Sequence, residues 1–288
     1  MSDSRPIGVF DSGVGGLTVL REIRRQMPAE RLIYVADLEH FPYGPRSQAQ
    51  VRGLALDIIG MLAGMDTKLV VIACNTATAA ALHIARERFD IPVVGVIAPG
   101  AQAAAAATRN GRVAVLSTEG TRASGEYVHA IREANPGIVV LSEVAADLVA
   151  IVENGDADTS TADAALAPVL ERIFDWRADT LVLGCTHYPL LRPALRRVIG
   201  ARRLRVVDSA DTTAARVRRI VAVNRIGADE QPPAGAKTLT TLTALTEVLV
   251  TAAPARFRAS AARLFDEPLP DPRLARPVPQ TMRVVAGS

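Results

Sequence analysis

Two cysteines occur in 288 residues, and each ends an apolar run that leads into small polar residues. The runs are Leu69-Val-Val-Ile-Ala-Cys74-Asn75-Thr76 and Leu181-Val-Leu-Gly-Cys185-Thr186-His187. A buried strand that stops at a thiol places a nucleophile or base at the strand's carboxyl end, where open α/β sheets bind their ligands. Two such ends predict two thiols facing one substrate. Asn75, Thr76, Thr186 and His187 suit the charged groups of an α-amino acid, with the thiols within reach of its α-carbon. To act as a base a thiol must be partly ionised, starting from an ordinary pKa of about 8.5, and a helix N-terminus or an ordered neighbour can achieve this. Helices are predicted to begin at Ala77 and at Pro189-Leu190. The plain alternative is a pair of small buried hydrophobes, the commonest fate of a free cysteine.

Other residues narrow the chemistry. Asp11-Ser12-Gly13-Val14-Gly15-Gly16 follows a strand and opens a helix, a pattern that makes an anion site from backbone N–H groups, although glycine alone could also serve a tight turn. It is neither a dinucleotide fingerprint, because Thr18 stands where the third glycine would be, nor a Walker loop, which would need Gly-Lys-Ser/Thr. Asp11 favours the functional reading, since a carboxylate at a strand end has no packing reason to be there. Phe41-Pro42-Tyr43-Gly44-Pro45 is a rigid loop that, taken alone, reads as an ordinary surface turn. Zinc held by Cys74, Cys185 and His187 is the rival chemistry, but Cys-x-His at one strand end is poor chelate geometry, and His40, His83 and His129 fall in no ligand spacing. No metal is expected. His187 reads as an acid or an orienting group.

Those residues need elements to hold them. Strand-like runs lie at Ile7 to Phe10, Leu32 to Ala36, Leu69 to Ala73, Val93 to Val96, Val113 to Leu116, Ile138 to Leu141, Thr180 to Gly184 and Leu204 to Val207. Most are continuously apolar and separated by helix-length segments such as 48–63, 77–89 and 164–176, which predicts α/β architecture with parallel sheets covered on both faces. Ile7 to Gly13 precedes Val113 to Thr118 by about the interval that separates Cys74 from Cys185, so the chain reads as a duplicated α/β unit. The expected domains are 1–98 with 209–265, carrying Cys74, and 99–208, carrying Cys185. Residues 227–237 read as a linker, and 266–288, rich in proline, as a disordered or loosely draped tail.

Composition sets the surroundings. With 49% hydrophobic residues the chain can bury one large core or two medium ones. Two cysteines give no disulfide framework, so reduced thiols are expected. The start of the chain moves straight into a strand pattern without a secretory signal, and the weakly polar stretch 69–85 is too short and too polar to span a membrane. A cytoplasmic protein with no membrane partner is expected. The net charge is +3, and nearly all the positive charge is arginine, since only Lys68 and Lys237 are lysines. Arginines cluster at 192–205 and 216–219, which could meet an acidic surface, but acidic residues nearly balance them and no nucleic-acid motif accompanies them. Solvated helix faces are the preferred reading, and no nucleic-acid partner is expected.

Taken together, Asp11-Ser12-Gly-Val-Gly-Gly, Pro42-Tyr43-Gly44, Ala73-Cys74-Asn75-Thr76-Ala77 and Gly184-Cys185-Thr186-His187-Tyr188-Pro189 resemble the glutamate racemases, of the aspartate/glutamate racemase superfamily. The resemblance runs from about Ile7 to Asp211, with the four motifs in the right order. It implies two similar α/β domains around one site, and a homodimer. Asp11, Ser12, Pro42, Tyr43, Gly44, Asn75, Thr76, Thr118, Thr121, Thr186 and His187 would bind the substrate, L- or D-glutamate. Cys74 and Cys185 would be the proton donor and acceptor, Cys74 acting on the D-isomer with help from Asp11, and Cys185 on the L-isomer with help from Glu153 and His187. Glu153 matches a family glutamate without its usual preceding proline, and Ser117 replaces a glycine before the Thr118, Thr121, Ser124 and Tyr127 pattern. Neither departure removes a chemical group. The implied reaction is cofactor-independent proton transfer supplying D-glutamate for peptidoglycan. A pyridoxal phosphate racemase would need a Schiff-base lysine, and Lys68 and Lys237 are badly placed for one. An aspartate or hydantoin racemase, or a binding protein using the arginine surface, are the other readings.

Overall fold

The computed structural model describes residues 3–145, 147–228, 245–265 and 268–279. The first four strands are β1 (Ile7–Asp11), β2 (Leu32–Ala36), β3 (Leu69–Ile72) and β4 (Val93–Gly95), all wholly buried. The next four are β5 (Arg112–Ser117), β6 (Val139–Val144), β7 (Thr180–Gly184) and β8 (Arg205–Asp208). Each of the eight apolar runs read from the sequence is therefore a strand. They form two parallel sheets, one with the inner order β2-β1-β3-β4 and the other β6-β5-β7-β8. The two orders are the same once β5 is matched to β1, so the duplicated unit is visible in the topology itself.

Helices cover both faces, which is why these strands are continuously apolar rather than alternating. In the first unit they are α1 (Leu17–Gln26), α2 (Gln48–Gly64), α3 (Asn75–Arg88) and α4 (Ile97–Ala107), the last leading from β4 into β5. Ser47 and Gln50 start α2 with a reciprocal capping box. The second unit carries α5 (Glu119–Ser124), α6 (Glu126–Ala134), α7 (Leu148–Glu153), α8 (Ser160–Asp175) and α9 (Arg192–Ile199). After β8, α10 (Ser209–Val223) returns to pack on α1 and α4. Four apolar clusters fill the faces of the two sheets, two to each. Among the described residues no helix is long and apolar enough to cross a membrane.

Sequence reasoning missed β9 (Thr246–Val250) and β10 (Arg273–Leu274), which extend the first sheet beyond β2. The run Thr-Glu-Val-Leu-Val is only five residues long, and it becomes a strand because β2 would otherwise present an open edge, pairing Leu32 with Thr246 through Ala36 with Val250. Of the expected loose tail 266–288, only 268–279 is among the described residues, and part of that stretch is a strand rather than loosely draped. Within it, Arg273 and Leu274 pair with Leu249 and Val250, and the Ala275 N–H donates to the Val250 carbonyl at 2.9 Å. The prolines at 268, 270, 272 and 277 leave these three N–H groups free to pair at an edge, where prolines are tolerated. Most of the expected linker 227–237 lies outside the described residues.

Candidate active site

In both sheets the strand order reverses between the first and third strands of the unit, and the crevice at such a switch point is where α/β sheets hold ligands. β1 and β3 are neighbours, Phe10 facing Ile72, so Asp11 and Cys74 emerge side by side at one carboxyl edge. In the second sheet Ser117 faces Gly184, and Thr118 emerges beside Cys185. The two edges face one another. A single cavity is lined by Ser12, Phe41, Pro42, Tyr43, Gly44, Cys74, Asn75, Thr76 and Thr118 from one side to the other, closed by Val149, Gly184, Cys185, Thr186 and His187.

The two thiols have different neighbours. Cys74 caps the N-terminus of α3, its sulfur accepting from the Ala77 N–H at 3.5 Å and its S–H donating to the Ser12 hydroxyl oxygen at 3.9 Å. Burial outweighs those hydrogen bonds and, with the nearby Asp11 carboxylate, pushes the Cys74 thiol up to about 12. Cys74 is therefore held as a thiol. Cys185 has no such cap, because the chain after it forms a 3-10 turn (Tyr188–Leu191) instead of the α-helix expected at Pro189. Its partner is His187, whose Nδ1 lies 3.9 Å from the Cys185 sulfur while Nε2 lies 2.9 Å from Glu153 Oε1. Burial by itself would lower the imidazole's pKa, but the hydrogen bonds to Cys185 and Glu153 and the charges around it raise it from 6.5 to about 10. Near neutral pH His187 is an imidazolium held between a sulfur and a carboxylate.

That proton is a linkage to folding. His187 binds it more tightly folded than unfolded, so its stabilisation is full below about pH 6.5 and is lost as the pH rises through about 10. Thermal melts across that window should fall more steeply for the wild type than for His187→Asn. Parallel curves would mean that Glu153 and Cys185 do not hold the imidazolium.

Eleven of the expected site residues line the cavity, and three stand behind it. Asp11 is fully buried, accepting from the Gly13 N–H at 2.8 Å and from the Thr186 hydroxyl at 3.1 Å, and burial holds its carboxyl above the ordinary carboxylate range. It thus fixes a residue of the opposite unit. Thr121 joins a three-way hydroxyl cluster with Thr76 and Thr118, at 3.0 to 3.2 Å, that stitches the two units together. Glu153 lines a neighbouring vestibule of about 440 Å³. Phe41, Pro42, Gly44, Thr118 and Val149 form the wall that vestibule and cavity share. The thiol cavity is only about 30 Å³, space for about one or two waters, so an amino acid reaches the thiols only when this wall gives way.

Sequence reasoning did not single out Val149, Asp37 or Arg256. Asp37 accepts from the Tyr43 hydroxyl at 2.6 Å and the Thr251 hydroxyl at 2.7 Å, which locks the 41–45 loop to the end of β9. Its position at the end of β2, like that of Asp11 at the end of β1, was the available signal. Val149 and Arg256 carry no motif. They reach the wall and the vestibule through tertiary packing alone.

Comparison with known proteins agrees with this geometry. A sequence profile of the Asp/Glu/Hydantoin racemase family matches residues 7–217. The glutamate racemase of Geobacter metallireducens is 46% identical over 217 residues, 75% of this chain and 80% of that protein. The one from Lactococcus lactis subsp. cremoris is 44% identical over 211 residues, 72% of this chain and 76% of its own. Among solved structures, glutamate racemase isoform RacE1 from Bacillus anthracis superposes with a TM-score of 0.85 at 35% identity, covering 94% of this chain and 97% of that one. The Francisella tularensis glutamate racemase in complex with D-glutamate gives 0.84 at 28% identity, covering 95% and 98%. The Escherichia coli glutamate racemase in complex with L-glutamate and the activator UDP-MurNAc-ala gives 0.73 at 32% identity, covering 94% and 98%. Two duplicated parallel-sheet units closing on a pair of thiols define a family, and the chain belongs to the Asp/Glu/Hydantoin racemase family. It is an isomerase, an amino-acid racemase.

Proposed function

We propose that the chain interconverts L- and D-glutamate by proton transfer between two cysteines without a cofactor. The observation that carries this reading is the pairing of Cys74 and Cys185 at equivalent strand ends of duplicated sheets, lining one cavity and each served by its own partners. Relatives named for glutamate, and their structures holding D- and L-glutamate, support the choice of substrate. In the L-to-D direction, Cys185 takes the α-proton, with the His187 imidazolium beside its sulfur. Cys74, held as a thiol, delivers its own proton to the opposite face. The negative charge that develops at the substrate carboxylate is met by neutral donors, Asn75 and the threonine hydroxyls, fixed in place before the reaction. In the D-to-L direction the roles reverse.

The broader reading is that the units 1–98 with 209–265 and 99–208 separate to admit substrate, that the protein is a cytoplasmic homodimer, and that its D-glutamate feeds peptidoglycan. Circular dichroism polarimetry with each glutamate isomer and no added cofactor tests the activity. Aspartate or 5-substituted hydantoins turned over in place of glutamate would reassign the substrate. Isotope labelling tests the two-base step. Starting from L-glutamate in deuterated water, the D-product should carry α-deuterium from the first turnovers while the remaining L-isomer stays protonated. Early deuterium in L-glutamate would point to one base serving both faces.

A further inference from the structure

Asn75 opens α3 directly after Cys74, and its side chain lines the thiol cavity. The two ends of its amide are in unlike situations. Oδ1 accepts a 2.7 Å hydrogen bond from the Tyr127 hydroxyl, whereas Nδ2 is buried and has no hydrogen-bond partner. A buried donor left unpaired is costly, and a ligand that accepts from it removes that cost.

Tyr127 belongs to the opposite unit. It sits on α6, 3% exposed, with its ring against Gly184, the residue before Cys185. Its hydroxyl packs over Gly100 beside Ser209, the first residue of α10, and burial keeps the phenol protonated by raising its pKa. The direction of this chain follows from counting protons. A phenol has one, and the Tyr127 hydroxyl gives it to Asn75 Oδ1. A carbonyl oxygen can accept it and an NH2 cannot. With Oδ1 held in this way, the NH2 is the end of the amide left for a ligand in the cavity.

We infer that Tyr127 is a positioning residue that holds the Asn75 amide with its NH2 turned into the cavity to donate to a substrate carboxylate. The same contact joins the thiol edge of one sheet to the helix beside the other thiol, so it serves both isomers alike. This rests on the racemase reading above.

The test is a double-mutant cycle on purified protein, with L- and D-glutamate kinetics for wild type, Tyr127→Phe, Asn75→Ala and the double variant. Tyr127→Phe should raise KM for both isomers about tenfold, the loss of one hydrogen bond to a charged group, with a smaller change in kcat. In the Asn75→Ala background the same substitution should leave KM unchanged, because the group it orients is gone. Additive KM effects would show that Tyr127 acts through packing and would overturn the relay. Should Tyr127→Phe fail to fold, the cycle of Tyr127→Met with Asn75→Ala removes the same hydroxyl, and additivity there overturns the relay equally. A wild type inactive on both isomers would remove the function proposal and the relay with it. An active wild type with additive variants removes the relay alone.

Discussion

Cys74→Ala and Cys185→Ala should each reduce kcat by at least about a thousandfold in both directions, since inversion at the α-carbon needs a base on one face and an acid on the other. Neither loss can be shared out, because residues acting as a unit fail together. Stability should change little by comparison. Each sulfur belongs to a buried apolar cluster but also lines a small cavity, and losing one such atom costs about 1 kcal/mol. Polarimetry measures the first effect and thermal melting the second. Retention of more than a few per cent of the wild-type rate by either variant would remove the two-thiol assignment. A collapse of the melting transition would instead show that the thiols are structural.

Gly15→Ala should be nearly as damaging although Gly15 touches no substrate in this reading. A Cβ there would lie 2.5 Å from both His187 Nδ1 and the Thr186 hydroxyl. Something must move, and the neighbours able to move are the imidazolium beside Cys185 and the hydroxyl that bonds Asp11. The Thr18 hydroxyl donates to the Gly15 carbonyl at 2.8 Å and lies 3.3 Å from the Thr186 carbonyl, so the loop is already held close against the opposite unit. A displacement of about 1 Å in reacting groups is enough to cost roughly a hundredfold in rate, and that is the expected loss in kcat. The glycine motif after β1 would then act as a backbone that lets the opposite unit approach. Near wild-type turnover in Gly15→Ala would contradict this close approach and return the motif to a simple anion-binding turn.

The sequence carried the strand ends with little ambiguity. Parallel strands buried on both faces must be apolar throughout, so each run stops where the backbone leaves the sheet, and a polar residue or thiol at that point is a deliberate departure. That is why Asp11, Cys74, Ser117 and Cys185 could be located as strand ends without coordinates. Motif order then pointed to the family, and the comparisons bear that out. The 3-10 turn after Cys185 was not legible, because Pro189 suits the first turn of an α-helix equally well. Nor was β9, whose strand state depends on a partner edge supplied more than 200 residues earlier.

What the sequence determined by itself was the class of fold, its duplication and the chemical inventory, since hydrophobic period and residue type are local properties. What only the tertiary structure decided was which groups act on which. The mutual facing of two strand edges, the imidazolium of His187 between Cys185 and Glu153, and the orientation of Asn75 by Tyr127 all join residues 34 or more positions apart, with the exception of the Cys185–His187 contact. The protonation of Cys74 belongs to the same set. A thiol at a helix N-terminus reads in sequence as activated, yet burial beside Asp11 overrides the N–H groups and keeps it a thiol. Desolvation depends on everything that surrounds a group, and no stretch of sequence contains its own surroundings.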